Sequence, residues 1–286
     1  KLFINNIHKT PASFNVDKNS DAEMVFSFLS KEEQTTKPNS VNASSLQHCR
    51  IEINDYPVTF DDAFYFSFEV TKNIPVLCIN PDERAFDNNA LEKLFKTDSV
   101  FVFKNVVENK LDYSSFLNYH LIILNDLKTL SSGLSQELKR FVDNGGSVLV
   151  FPGAQVDVKS YKEFLLTLNV NYYERLDTTK TKVDKINLEH FIYKDVFDKK
   201  TFSVTNLDLP IVNKHYTISK NTKSNAEFLL KLQNGDVFLN QYTIGKGKVY
   251  MSAASLNSSF SNFTKHALFV PTIYEIGINS INSYPL

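Results

Sequence analysis

The chain of 286 residues contains no tryptophan, only two cysteines and two methionines, and almost no net charge. Two thiols, Cys49 and Cys78, are too few to staple a small secreted domain, so a hydrophobic core has to hold the fold. Cys78 sits in the apolar run Pro75-Val76-Leu77-Cys78-Ile79, where a thiol is a small buried hydrophobe with a raised pKa. Lysine plus arginine, 31, nearly cancels aspartate plus glutamate, 32. No summed field then exists to hold a polyanion or an anionic membrane face, which argues against nucleic acid as a partner. No apolar stretch reaches the roughly 20 residues that cross a bilayer, and no signal peptide is present. The sequence opens on Lys1-Leu2-Phe3-Ile4, strand-like from the first residue and without an initiator methionine. It reads as a piece of a longer protein, with any membrane contact expected through segments outside it.

Phenylalanine and tyrosine are abundant instead, 24 and 13 of them, many in strand-like runs where flat rings fill the space between layers. Hydrophobic residues make up 42% and charged residues 22%, which excludes disorder over the whole length. The chain is longer than a typical single domain, and its pattern changes near Asn73, between the two cysteines. Over residues 1–73 the signals are β: short strands at 1–7, 24–29 and 50–53 are separated by turns rich in Asn, Ser, Pro and Asp, with 35–45 an exposed loop. The expectation is a small β-sandwich-like, Ig-like unit.

From 74 to 286 the grammar is strand, helix, strand, helix, as in a parallel sheet covered on both faces. Strands are predicted at 74–79, 100–106, 120–125 and 147–151, and helices at 85–96, 135–142 and 158–168. Leu91, Leu94 and Phe95 share one face of the first helix, and Leu138, Phe141 and Val142 one face of the second, before the stop Asn144-Gly145-Gly146. Residues 171–219 interrupt the alternation and read as an insertion carrying a helix near 188–197. Strands at 228–232, 237–242 and 248–252 follow, joined by the turns Gln233-Asn234-Gly235-Asp236 and Gly245-Lys246-Gly247. A helix over 266–279, with Pro271 near its first turn, closes the chain. Right-handed crossovers gather the loops 80–84, 125–129 and 152–157 at the carboxyl ends of the strands, where open α/β sheets bind ligands. The candidate ligand-binding residues there are Asp82, Glu83, Asn125, Asp126, Gly153 and Gln155.

Three segments carry a family resemblance. They are Leu121-Ile122-Ile123-Leu124-Asn125 followed by Phe141-Val142-Asp143-Asn144-Gly145-Gly146-Ser147-Val148-Leu149-Val150-Phe151-Pro152-Gly153; Tyr242-Thr243-Ile244-Gly245-Lys246-Gly247-Lys248-Val249-Tyr250; and Ser261-Asn262-Phe263 with His266-Ala267-Leu268-Phe269-Val270-Pro271. Together they resemble the class I glutamine-amidotransferase-like soluble domain of BatA-type bacterial membrane proteins, whose N-terminal region is the aerotolerance-regulator membrane segment. The aromatic strand pair around Asp55-Tyr56-Pro57-Val58 and Phe64-Tyr65-Phe66 is similar to the element preceding that domain. The resemblance implies an open, mostly parallel Rossmann-like sheet over 74–286, preceded by the β unit. It also implies a protein anchored in the cell envelope with this part facing away from the cytoplasm, on the periplasmic side.

Amidotransferases place their cysteine on the sharp turn between strand and helix. The comparable turn here, Pro152-Gly153-Ala154-Gln155, holds no nucleophile. The six histidines, His8, His48, His120, His190, His215 and His266, show no spacing that sets two ligands on one helix face, and His266 and His120 suit capping or packing. Asp55, Asp61 and Asp62 form the densest carboxylate cluster, yet match no calcium loop and suit a turn. Gly245-Lys246-Gly247-Lys248 lies between strands, not before a helix, so it reads as a hairpin and not a phosphate loop. No cofactor or metal is expected. The reading that follows is a non-catalytic interaction module whose partner is another envelope protein or another domain of the parent chain. The alternative is a hydrolase using Asp82, Glu83 and Asp126 at the strand ends.

Overall fold

The computed structural model describes residues 1–9, 45–53, 62–70, 73–86, 90–194, 208–220 and 225–281, with isolated positions 13, 21, 24, 26, 60, 196 and 197. They belong to two units, Lys1–Asn73 and Ile74–Asn282. In the first, alternation of Leu2-Phe3-Ile4 makes β1 (Leu2–Ile4), which turns into β2 (Ile7–His8) through Asn5 and Asn6, both left-handed at φ 48° and 63°. That is the two-residue hairpin geometry asparagine tolerates. β3 (Ser45–Glu52) pairs with β1, and β4 (Ala63–Val70) with β3, all antiparallel in the order β2-β1-β3-β4. Leu2, Ile4 and Cys49 are buried together on one face. The strand expected at 24–29 and the loop at 35–45 lie outside the described residues, apart from Met24, Phe26 and the backbone of Ser45.

The second unit begins with β5 (Ile74–Asn80), buried at every position, as a strand must be when helices cover both faces. It continues through α1 (Ala90–Thr97), β6 (Phe101–Val107), β7 (Leu121–Leu127), α2 (Ser132–Asp143), β8 (Ser147–Pro152) and α3 (Val158–Thr167). Then come β9 (Tyr173–Asp177), β10 (Thr181–Ile186), β11 (Ile211–Val212), β12 (His215–Ile218), β13 (Ala226–Leu232), β14 (Val237–Ile244), β15 (Gly247–Ser252) and α4 (Phe269–Ile278). Nine strands form one sheet in the order β11-β10-β13-β14-β15-β8-β7-β5-β6. β15, β8, β7, β5 and β6 run parallel to one another, and β14, β13, β10 and β11 extend the sheet as antiparallel additions. α1 packs with α4 and α2 with α3, one pair to each face. The chain leaves β5 toward β6 and returns across it to β7, so the topological switch point lies between β5 and β7.

Local chemistry sets the helix limits. Ser131 caps α2 by accepting from the Leu134 amide at 3.2 Å. The helix ends with Gly145 at φ 98°, its amide donating to the Val142 carbonyl at 2.8 Å while that of Gly146 reaches Phe141 at 2.9 Å. The helix expected near 188–197 is instead a single 3-10 turn, Phe191–Tyr193. His190 caps it through Nδ1, which accepts from the Ile192 amide at 3.3 Å, and the Tyr193 hydroxyl is tied to Thr272 Oγ1 at 3.1 Å. A turn pinned at both places has no freedom to propagate. Residues 171–219 are also woven into the fold: β10 and β11 lengthen the main sheet, and β9 pairs with β12 in a small sheet of its own. No helix among the described residues is long and apolar enough to cross a membrane.

Candidate functional site

At the switch point the strand ends are joined by carboxamides. Asn80, the last residue of β5, is fully buried, and a buried amide has to find partners for all its groups. Its Oδ1 accepts from Asn125 Nδ2 on β7 at 2.8 Å, and its Nδ2 donates to Asn105 Oδ1 on β6 at 3.1 Å and to the Cys78 carbonyl at 3.1 Å. Asn105 in turn donates to Glu92 Oε2 on α1 at 2.8 Å. The relay therefore ties β6, β5, β7 and α1 together.

One residue further along β7, Asp126 takes a left-handed φ of 59°, a conformation open to few residues with side chains. The reversal turns its carboxylate toward the loop after β8, where Oδ1 accepts from the Ala154 amide at 2.9 Å and from Ser255 Oγ at 3.4 Å. Burial pushes the Asp126 carboxyl above its ordinary value, those two hydrogen bonds oppose the shift, and the Asp82 charge adds to it. Burial likewise raises Glu108, just beyond β6. Gly153 is required by close approach: a Cβ there would lie 2.9 Å from the Leu127 carbonyl oxygen and 3.1 Å from that of Asp126.

Against this turn sits Tyr216 of β12. Its hydroxyl donates to the carbonyls of Gly153 and Ala154, 3.1 and 3.2 Å away, and accepts from the Val156 amide at 3.2 Å. Tyr161 donates to the Leu127 carbonyl at 2.9 Å and Tyr173 to that of Ser252 at 2.6 Å. Burial raises all three phenols. Their rings continue one another, with centroids 5.7 Å apart from Tyr161 to Tyr173, 5.6 Å from Tyr173 to Tyr216 and 6.2 Å from Tyr216 to Phe260. The tyrosines thus brace the backbone of the turn from beneath its exposed residues Ala154 and Gln155.

Of the residues named from sequence, Asn125, Asp126 and Gly153 are brought together. Asp82 contributes its charge but is engaged by Arg84 at 2.8 Å, whose hydrogen bond holds its carboxyl below the usual range. Glu83 pairs with Lys110 at 2.6 Å on the exposed surface, and Gln155 is exposed beside Ala154. Asn80, Ser255, Tyr161 and Tyr216 belong to the same neighbourhood and were not among the sequence candidates. An asparagine closing an apolar strand was a signal for the first; nothing local to Tyr216 marks it. His190, His215 and His266 meet Glu227, Asp236 and the Asp208 carbonyl, away from this turn. Ser255 Oγ donates to the Asp126 carboxylate and accepts from the Asn257 amide at 3.1 Å. Among the described residues, no group of three or more His, Cys, Asp or Glu could hold a metal ion.

Compared by sequence, the chain matches no family model and no curated protein. Solved structures are similar. The cytoplasmic protein STM1381 from Salmonella typhimurium LT2 aligns with a TM-score of 0.54 at 16% identity, over 83% of this chain and 96% of that one. STM3548 from Salmonella typhimurium, also named a cytoplasmic protein, aligns at 0.53 and 12% identity, over 83% and 94%. A ThuA-like protein from Bacteroides uniformis ATCC 8492 aligns at 0.52 and 13%, over 78% and 94%. At such identities the likeness concerns architecture. The chain has the α/β fold of the class I glutamine-amidotransferase-like type.

Proposed function

We propose that this chain is a non-catalytic interaction module, a pseudoenzyme in the amidotransferase-like fold whose strand-end loops present a surface to another protein. One observation carries the reading: the turn Gly153-Ala154-Gln155 has no nucleophile, and its backbone is held by Tyr216, whose hydroxyl donates to the carbonyls of Gly153 and Ala154. The carboxylates a hydrolase would need are engaged as well, Asp82 by Arg84 and Asp126 by Ala154 and Ser255. What supports the setting is the sequence resemblance to BatA-type proteins: an envelope-anchored parent with this part on the periplasmic face, in a complex serving stress or aerotolerance. Its partner is then another envelope protein or a neighbouring domain of the parent.

The test is affinity capture of the full-length parent from its own membrane, in wild-type form and with Gln155→Arg on the exposed loop, together with an assay of the purified protein for glutamine hydrolysis. The expected result is a specific partner held by the wild type, lost with Gln155→Arg, and no hydrolysis. Turnover of glutamine, or capture of no partner, would refute the proposal.

A further inference from the structure

Away from the strand ends, a cleft of about 160 Å³ opens between β12 and the antiparallel wing β13–β14. Its polar groups are arranged by charge. Asn171 and Asn240 lie in it, both buried. Asn240 Nδ2 donates to the Tyr242 hydroxyl at 3.0 Å, and Asn171 bonds the same hydroxyl. With its amide nitrogen drawn to Tyr242, the Asn240 carboxamide has an oxygen acceptor left to offer. Asp236 lies beside them, and its Oδ2 is fixed by His215 Nε2 at 3.1 Å and by Asn234 Nδ2 at 3.0 Å. Facing a carboxylate, Nε2 carries the ring proton. His215 is itself wholly buried, with Nδ1 unpartnered, so it serves as a rigid backstop for the acid.

The opposite charge stands at the rim, in Lys220 and Lys231. Lys231 reaches the cleft because the β13–β14 ladder slips twice, between Phe228 and Leu230 and again between Leu230 and Lys231. Strict alternation would send Phe228 and Lys231 to opposite faces; the irregular register sets them on one, the ammonium 4.1 Å above the ring centroid. Irregularities of this kind re-aim side chains next to functional sites.

We infer that this cleft binds a small zwitterion, a free α-amino acid with a short side chain. Its ammonium group meets Asp236 and the Asn240 oxygen, its carboxylate meets Lys231 and Lys220, and its side chain lies against Phe228. Size agrees: a cavity of roughly 150 Å³ accepts benzene, a molecule about as large as alanine or serine. A cation alone would leave the lysines unused, and an anion alone would be repelled by Asp236. The site is separate from the strand-end surface and does not depend on the interaction role proposed for it.

Calorimetric titration of residues 1–286 with L-alanine and L-serine tests this, with ethylamine and propionate as the two halves of alanine and L-phenylalanine as an oversized ligand. Alanine or serine is expected to bind saturably, each half and phenylalanine about tenfold more weakly or worse, since each loses a charge-assisted contact or its fit. Lys231→Met should weaken alanine and leave ethylamine unchanged. Ala226→Leu, which fills the cleft wall, should abolish binding while the thermal unfolding of the free protein stays as in the wild type. No saturable binding by any amino acid, propionate binding as tightly as alanine, or undiminished binding by Ala226→Leu would each overturn the assignment.

Discussion

Asp126 combines three demands on one residue: a left-handed backbone, a half-buried charge, and hydrogen bonds to two other segments. A carboxyl whose folded pKa lies above its unfolded value removes stability as pH rises through that window, because the folded state holds the proton longer. Asp126→Asn keeps an oxygen acceptor, suits positive φ, and carries no charge to desolvate. Its urea midpoint is expected above that of the wild type at neutral pH and equal to it below about pH 4, where both side chains are neutral. Tyr216→Phe tests the same turn from the other side. Loss of the hydroxyl strands the Val156 amide, with an expected cost of about 1–2 kcal/mol by chemical denaturation. Asn125, Asp126 and Gly153 were legible in the sequence because one topological rule places all carboxyl-end loops together. Asn80, Ser255 and Tyr216 were not, because their partners are remote along the chain and no local pattern records a contact of that kind.

Among elements, those with a strong period read correctly. α1 and α2 bury the apolar stripes expected of them, Leu91, Leu94 and Phe95 in one and Leu138, Phe141 and Val142 in the other. The misread element is the turn Phe191–Tyr193, where tertiary bonds override a helical propensity. The face of β8, β15 and β14 near it carries an unusual load. Ser147 Oγ, Tyr250 Oη, Gln241 Oε1 and the neighbouring His190 Nε2 are all buried without a hydrogen-bond partner. Register sets Ser147 beside Lys248 and Tyr250 beside Gln241, so the four share one side of the sheet. An unpaired buried hydroxyl costs about 1–3 kcal/mol, and removing it should relieve that cost. Tyr250→Phe is therefore expected to leave the melting temperature unchanged or raise it. Tyr161→Phe, which deletes a hydroxyl bonded at 2.9 Å, should lower it. Thermal unfolding of the pair provides its own control.

At the scale of the whole molecule, the two hydrophobic cores share no residue: Leu2, Ile4 and Cys49 form one, and the α/β core is drawn wholly from the second unit. A fragment spanning residues 74–282 is expected to unfold in a single cooperative urea transition; a broad, non-cooperative transition would show that the first unit is needed for its integrity. The α/β class was readable because fully apolar strands alternate with amphipathic helices. The extension of the sheet by β10 and β11 was not, because a mostly polar strand and a strand of two residues, far apart in the chain, leave too weak a period.

The junction of β8 with β15 has a consequence for synthesis. Ser147 and Lys248 are register partners, yet β9 to β14 lie between them in the chain. As the polypeptide emerges, β6, β5, β7 and β8 can assemble first, and the outer edge of β8, apolar from Val148 to Phe151, then waits for a strand that has not been made. An open apolar edge is a template for any passing strand, and pairings between distant segments form slowly. The nascent chain is therefore most exposed to misassembly in the interval before β15 arrives, and a chaperone would be most useful there.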